Sequence, residues 1–355
     1  MKSLAFGALV AVLGVAALLL TAELVLRATN LGSRGTQAEL HELRLDRPWL
    51  FGLRPGFRGT LEMTGDTVYE INADGFRGRA YAPTPAPDTF RIVVLGASTT
   101  FGFGVNEGET WPSRLERILD GQGGRQVEVL NLAVNGYNPY NEAALLADRG
   151  LAYQPDLVLV EFGVAAIMDP SLLFDAQTRM HPALIPDAAL PDPAMRHATP
   201  PYAALLRPCQ ALRTCALLVD ALGLGDPDTR EALDRIYPRV PSETERAWLG
   251  RQYGEMARLA RAAGAGFAVI EFPHREQLRG KLSEGPQEAV TRLGQEGGWP
   301  TYDLFPVMQS ATQAGRSAQV MLDGWHLSAV GHAVAAHAIA RWLEETGLVP
   351  KAPRA

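Results

Sequence analysis

The sequence contains a serine, an aspartate and a histidine in an order and setting that could form an acyl-transfer centre. Ser98 follows the apolar run Ile92–Leu95 and stands next to the small residues Gly96 and Ala97. Such a run is typical of a buried parallel strand that delivers a side chain to the open end of a sheet. Serine by itself is a weak nucleophile, so Ser98 needs a base, an acid that orients this base, and donors for an oxyanion.

A candidate base and its orienting acid lie near the C-terminus. Asp323 and His326 are three residues apart, on a predicted loop that enters the last helix. At this spacing a carboxylate can accept the Nδ1 proton of the imidazole while Nε2 faces a serine at another strand end. An isolated D-x-x-H is usually a surface turn. Its position after the last predicted strand, at the sheet edge where Ser98 must lie, favours the catalytic interpretation.

The elements that must position these residues alternate between strand and helix. Helices are predicted to begin near Thr110, Asn138, Ser242 and Ser328. Predicted strands separate them, at residues 90–95, 127–131, 157–162, 266–272 and 300–304. This alternation predicts an α/β sandwich with a parallel sheet, in which all strands end at one edge.

Composition and motifs argue against several other functions. The chain has 355 residues, a net charge of −6 and no basic tract, so nucleic acid is not an expected partner. No HExxH or CxxC pattern is present, so a dedicated metal site is not expected. His274, after the fourth predicted strand, could line the site, but we expect it to be a solvated loop residue. Gly96–Gly104 fails the G-x-G-x-x-G template, because Glu107 stands at the third glycine. It also fails the G-x-S-x-G elbow, because Thr100 replaces the second glycine.

The N-terminal segment is apolar enough to interact with a membrane. Leu4–Leu20 comprises 17 residues without a charge, and the apolar character continues beyond Glu23. This exceeds the core of about 7–15 residues in a signal peptide and approaches the 20 or so needed for a span. We therefore predict an uncleaved signal anchor at residues 1–28, with the remainder periplasmic or at the cell surface. Cleavage of this segment would instead release a secreted protein.

The rest of the chain is predicted to have two parts. Residues 29–88 form a small β-rich lead-in that ends in the proline-rich linker Pro83–Pro87. Residues 89–350 form the catalytic domain. Periodicity fails at about 168–241, where proline recurs. This insertion is either a cap over the open end of the sheet, which we prefer, or a mobile surface insertion. Cys209 and Cys215 lie within it and are either a local disulfide or two small buried residues.

Three blocks in the expected order resemble the SGNH (GDSL-like) hydrolase family. They are Gly96–Ser98, Asn131–Tyr137 and Asp323–Ser328, and the resemblance covers about residues 89–346. The lead-in, with Phe76-Arg77-Gly78, resembles membrane-anchored bacterial members. The resemblance implies a flavodoxin-like α/β/α fold, no cofactor, and hydrolysis or transfer of acyl groups esterified to carbohydrates or lipids. It also implies that Gly136 donates its backbone N–H to the oxyanion together with Ser98.

One block departs from the family pattern. The family has Gly-x-Asn-Asp or Gly-x-Asn-Glu after the third strand, and its asparagine donates to the oxyanion. Here Ala165 stands at that position and has no side-chain donor. Loss of one such donor typically lowers kcat by about 10²–10³. Asn135, Asn138 or Asn141, near the neighbouring strand end, could reach in as a replacement.

Three functions therefore stay open. The preferred one is a serine hydrolase, an esterase, deacetylase or lipase-like enzyme that uses Ser98, His326 and Asp323. An O-acyltransferase that acts on envelope or secreted polysaccharide would use the same machinery with a sugar hydroxyl in place of water. A catalytically silent binding protein is the third, because of Ala165.

Overall fold

The structure is a computed structural model. It describes residues 2–29, 37–120, 126–167, 186–190, 214, 239–312 and 320–349. Cys209, Cys215 and most of the predicted cap at 168–241 lie outside the described residues.

Strands and helices alternate through the described part of the chain. The strands are β1 (His41–Arg44), β2 (Leu50–Leu53), β3 (Arg58–Thr60), β4 (Val68–Glu70), β5 (Thr89–Leu95), β6 (Gln126–Asn131), β7 (Leu157–Phe162), β8 (Gly266–Glu271) and β9 (Thr301–Asp303). The α-helices are α1 (Lys2–Thr29), α2 (Gln37–Leu40), α3 (Ser98–Phe101), α4 (Trp111–Asp120), α5 (Pro139–Asp148), α6 (Glu243–Ala262), α7 (Arg275–Leu278), α8 (Gly285–Gly297), α9 (Phe305–Ala311) and α10 (Ala329–Thr346). Short 3₁₀ turns cover Glu62–Thr64, Glu107–Glu109, Gly150–Tyr153, Val164–Ile167 and Asp187–Ala189.

The central sheet has five strands in the order β6-β5-β7-β8-β9, and all of its pairs are parallel. Numbered along the chain within the sheet, this order is 2-1-3-4-5, which is that of flavodoxin-like folds. The predicted α/β class with a parallel sheet is confirmed. The order reverses between β5 and β7, and open α/β sheets bind ligands at the carboxyl ends of the strands that flank such a point.

Apolar layers cover both faces of this sheet. In β5, Val93 and Leu95 belong to one core, which also contains residues of α5 and α6. Ile92 and Val94 belong to the other core, together with residues of α4 and α10. Successive side chains of a strand point to opposite faces, so a strand buried on both sides is a nearly continuous apolar run.

Capping interactions explain where the main helices begin. Ser242 and Glu245 form a reciprocal capping box at the start of α6, and Asn138 and Asn141 form one at α5. The Ser328 hydroxyl accepts the Gly331 N–H at the start of α10. Such side chains satisfy N–H groups that have no partner within the helix.

The lead-in packs against the loop that follows Ser98. Its two hairpins pair β1 with β2 and β3 with β4. Beyond them the fully buried guanidinium of Arg77 donates to the carbonyl oxygens of Phe101 (2.7 Å), Gly102 (2.6 Å) and Val105 (2.5 Å). Its Nε lies 3.0 Å from a carboxylate oxygen of Glu107. Arg77 therefore ties the lead-in to residues 101–107 of the sheet domain.

The N-terminal residues Lys2–Thr29 form the single helix α1. No helix within the described residues meets the length and apolarity of a membrane span. The predicted signal anchor is not confirmed and stays a prediction.

We expect replacement of Arg77 by methionine to destabilise the protein strongly. The carbonyls of the loop and the Glu107 carboxylate would lose their buried donor, and breaking a buried ion pair typically costs about 3–5 kcal/mol. Urea unfolding of the full chain measures this loss. The control is Arg58→Met, because Arg58 forms an exposed pair with Glu70, and such pairs contribute about 0–1 kcal/mol. An equal, small change in both variants would contradict the role of Arg77.

Candidate active site

Ser98 is the first residue of α3 and directly follows β5, beside the point where the strand order reverses. The approach to Ser98 requires glycine at position 96. A β-carbon there would lie 2.6 Å from the carboxylate oxygen Oε2 of Glu161, closer than such atoms can pack. The strand and this close contact together place the Ser98 hydroxyl at the sheet edge.

The structure brings Ser98, Asp323 and His326 together, although Ser98 and His326 are 228 residues apart in sequence. His326 Nε2 lies 2.9 Å from Ser98 Oγ, and His326 Nδ1 lies 2.7 Å from Asp323 Oδ2. With the imidazole proton on Nδ1, Nε2 is the acceptor of the serine hydroxyl. The arrangement can therefore move a proton from the hydroxyl to the ring, next to a carboxylate that stabilises the resulting imidazolium.

Asp323 is held in its ionised form. Its Oδ1 accepts the backbone N–H groups of Trp325 (2.7 Å) and His326 (2.8 Å). Burial opposes ionisation, but the hydrogen bond and charge of His326, with these two donors, lower the pKa of Asp323 to about 2. The carboxylate is therefore charged at neutral pH and fixed towards Nδ1.

Phe103 packs against the His326 ring, with centroids 4.5 Å apart. Phe103 belongs to the loop that Arg77 holds, and the N–H of the next residue, Gly104, donates to the Tyr69 hydroxyl at 2.8 Å. Two lead-in residues thus support the surface on which the imidazole rests. Sequence reasoning missed Arg77, Tyr69 and Phe103 as supports, and the sequence carries no spacing that connects them.

Glu161 lies directly beneath the turn that carries Ser98. Its Oε2 accepts the N–H groups of Ala97 (3.1 Å) and Thr100 (2.8 Å). Complete burial raises the pKa of Glu161, while the bonds from Thr100 and Ala97 and the charge of His326 act in the opposite direction. The sequence signal for Glu161 was a charged residue inside the otherwise apolar strand β7. Its hydrogen-bond partners become visible in the tertiary structure.

The Gly136 turn faces the other side of the Ser98 segment. Val134 N–H donates to the carbonyl of Gly96 at 3.1 Å, and Tyr137 N–H donates to Val134 at 3.1 Å to close the turn. Gly136 has φ +82°, as the third residue of a type II turn requires, and L-residues rarely adopt this conformation. The turn that contains Gly136 is thus bonded to Gly96, two residues before Ser98.

Ala165 lies in the 3₁₀ turn Val164–Ile167, which follows β7, the neighbour of β5 in the sheet. Two of the three candidate replacement asparagines are already fully engaged. Asn138 caps α5 and donates to Ala189 O (3.0 Å), and Asn141 donates to Trp49 O (3.2 Å) and accepts the Asn138 N–H. Neither end of the Asn135 amide has a hydrogen-bond partner among the residues that the structure describes.

His274 is not the solvated loop residue that the sequence predicts. It is buried, its Nδ1 accepts the Glu276 N–H at 3.1 Å, and its ring packs edge-on against Trp325 with centroids 4.6 Å apart. Burial lowers the pKa of His274 to about 4. It is thus a neutral packing residue beside the Asp323–His326 loop.

Comparison with known families now identifies the class of protein. The model described as "GDSL-like Lipase/Acylhydrolase family" matches residues 94–334. The chain belongs to this family of ester-cleaving enzymes.

Several solved structures are similar at low identity. A two-domain esterase active on acetylated mannans is 13% identical with a TM-score of 0.44, over 75% of this chain and 52% of that one. The chain thus spans about half the length of that esterase. A lipase/acylhydrolase from Enterococcus faecalis is 17% identical with a TM-score of 0.43, over 74% of this chain and 100% of that one. An acetylxylan esterase from Geobacillus stearothermophilus is 11% identical with a TM-score of 0.44, over 72% and 94%. No curated protein sequence matches significantly.

We expect Glu161→Gln to slow the reaction of Ser98 with a fluorophosphonate about tenfold, the equivalent of about 1.4 kcal/mol. The amide retains one oxygen acceptor for the two N–H groups, but its NH2 group puts a donor where the carboxyl group has an oxygen, so the turn that carries Ser98 is held less firmly. Glu161→Ala also removes the acceptor and should slow labelling further. Glu255→Gln is the control, because Glu255 only pairs with Arg258 on the exposed surface of α6. Wild-type labelling in Glu161→Gln and in Glu161→Ala would contradict the role of Glu161 in holding the turn that carries Ser98.

Proposed function

We propose that this protein is a serine hydrolase that cleaves ester-linked acyl groups, as an esterase, deacetylase or lipase-like enzyme. The observation that carries the proposal is the chain of contacts from Ser98 Oγ to His326 Nε2 (2.9 Å) and from Nδ1 to Asp323 (2.7 Å). Membership of the GDSL-like family supports the same reaction class. The substrate is an acyl ester of a carbohydrate or a lipid.

In the first half of the reaction Ser98 is acylated. Its Oγ attacks the ester carbonyl carbon while its proton passes to His326 Nε2. The backbone N–H groups of Ser98 and Gly136 bind the oxyanion of the tetrahedral intermediate. The intermediate then collapses, the bond to the alcohol breaks, and the imidazolium returns its proton to the departing alkoxide oxygen.

In the second half water hydrolyses the acyl-enzyme. His326 takes a proton from water as the water oxygen attacks the acyl carbon, and a second oxyanion forms at the same donors. Collapse breaks the bond to Ser98 Oγ, which recovers its proton from His326 and releases the carboxylic acid. No cofactor takes part. A sugar hydroxyl in place of water would make the same protein an O-acyltransferase.

The proposal extends to location. The catalytic part is extracytoplasmic and attached to a membrane through α1. This is supported by the uncharged stretch Leu4–Leu20 and by large apolar side chains of α1 that are exposed to solvent. They include Phe6, Val10, Val12, Leu13, Val15, Leu18, Leu19 and Leu20. The division into an anchor at 1–28, a lead-in at 29–88 and a catalytic domain at 89–350 belongs to the same proposal.

Hydrolysis of a short-chain p-nitrophenyl ester by the full chain in detergent tests the reaction. We expect Ser98→Ala to lower kcat by at least about 10³, because the nucleophile is lost while the binding surface stays. Ser310→Ala, which changes a serine on the exposed side of α9, should leave kcat unchanged. A fluorophosphonate should label the wild type and Ser310→Ala but not Ser98→Ala.

Equal rates in Ser98→Ala and the wild type, with no labelling of Ser98, would refute the serine hydrolase and favour the silent binding protein. An acceptor sugar added to the assay separates the remaining alternatives. Acylated sugar at the expense of free acid would indicate the transferase.

A further inference from the structure

Compared with the family pattern, the proposed oxyanion site lacks one hydrogen-bond donor. Two backbone N–H groups, from Ser98 and Gly136, are proposed to bind the oxyanion. The family's third donor is an asparagine side chain, and Ala165 cannot replace it. A third donor must therefore come from elsewhere, or the protein must be slower by the contribution of one hydrogen bond.

Asn135 has a side-chain amide that is free to serve. Its side chain is almost completely buried, with 1% relative exposure. Within the described part of the chain, neither Nδ2 nor Oδ1 of Asn135 has a hydrogen-bond partner. A buried amide without partners costs about 1–3 kcal/mol, so it calls for an explanation such as a catalytic role or a bound water.

The other buried asparagines of the described residues show what a structural role looks like. Asn131 donates to Thr100 O (3.0 Å) and accepts the Ala133 N–H (3.2 Å). Asn138 and Asn141 share the capping box of α5 and donate to further carbonyls. All three have both ends of the amide bonded, so Asn135 is the exception on this loop.

The position of Asn135 is set by the Gly136 turn. Val134 is bonded to Gly96, two residues before Ser98, and Asn135 is the next residue along the turn. The Cα of Asn135 carries both its side chain and the peptide unit whose N–H belongs to Gly136. The side-chain amide and this N–H are therefore joined by a short covalent path, in the turn that Val134 bonds to Gly96.

We propose that Nδ2 of Asn135 donates the third hydrogen bond to the oxyanion in place of the asparagine that is missing at position 165. Within the described residues the amide has no partner, and its partner arrives as the carbonyl oxygen of the substrate, which gains negative charge when Ser98 adds to the carbonyl carbon. No atom of Asn135 exchanges a proton or forms a covalent bond. This inference rests on the proposed function.

The first test compares Asn135→Ala with Tyr253→Phe in the p-nitrophenyl ester assay. Both changes remove a buried polar group that has no partner in the described residues, since the Tyr253 hydroxyl is also unbonded. Both variants should therefore keep or exceed the wild-type Tm. Only Asn135→Ala should lower kcat, by about 10²–10³ with little change in KM. Unchanged kcat in Asn135→Ala, or a parallel loss of Tm and activity, would overturn the inference.

The second test restores the family's donor. Ala165→Asn should raise kcat at least about 10²-fold in the Asn135→Ala background, because it fills an empty donor position. In the wild type the same change should raise kcat less than about tenfold, because the Asn135 amide already donates a hydrogen bond to the oxyanion. An equal gain in both backgrounds would mean that the two positions act independently, which contradicts the replacement.

The two levels of failure are distinguishable. A wild-type protein without Ser98-dependent hydrolysis and without fluorophosphonate labelling refutes the proposed function, and the role of Asn135 with it. A wild type that hydrolyses the ester and is labelled at Ser98, with Asn135→Ala equally active, refutes only the role of Asn135.

Discussion

The hydrogen bonds between the Glu161 carboxylate and the turn after β5 are the contact on which the site depends. They join two adjacent strands at the point where the strand order reverses, because Glu161 belongs to β7 and its donors, Ala97 and Thr100, flank Ser98. The requirement for glycine at 96 follows from the same contact. The buried Glu161 side chain here satisfies two backbone N–H groups of the turn that carries Ser98.

The opposite side of the site depends on the lead-in. Arg77 bonds the carbonyls of the loop after α3, and Phe103 of this loop carries the imidazole of His326. Side chains that make a catalytic arrangement need support that locks their rotamers, and here the support comes from a segment before the first strand of the sheet. In the described structure the lead-in therefore supports His326 through the loop that contains Phe103.

Two features of the turn that contains Gly136 bear on the proposed oxyanion site: the backbone conformation of Gly136 and the side chain of Asn135. Gly136 needs a positive φ that closes the turn after Val134, and Asn135 within this turn is buried and has no hydrogen-bond partner in the described part of the chain. Asn138 and Asn141, which sequence proximity made equally plausible replacements for Ala165, are consumed by helix capping and by contacts with Ala189 and Trp49. The hydrogen bonds that Asn138 and Asn141 already make leave Asn135 as the asparagine that we propose for the oxyanion.

The sequence by itself determined the parallel sheet, the starts of its main helices and the pairing of Asp323 with His326. These features depend on local signals, namely apolar runs, capping residues such as Ser242, and a three-residue spacing. Only the tertiary structure decided what Glu161 and Arg77 contact, that His274 is buried, and which asparagine is free. Those outcomes depend on residues that are distant in the chain, such as Glu161 and Ala97, and no local pattern encodes which buried polar groups will meet.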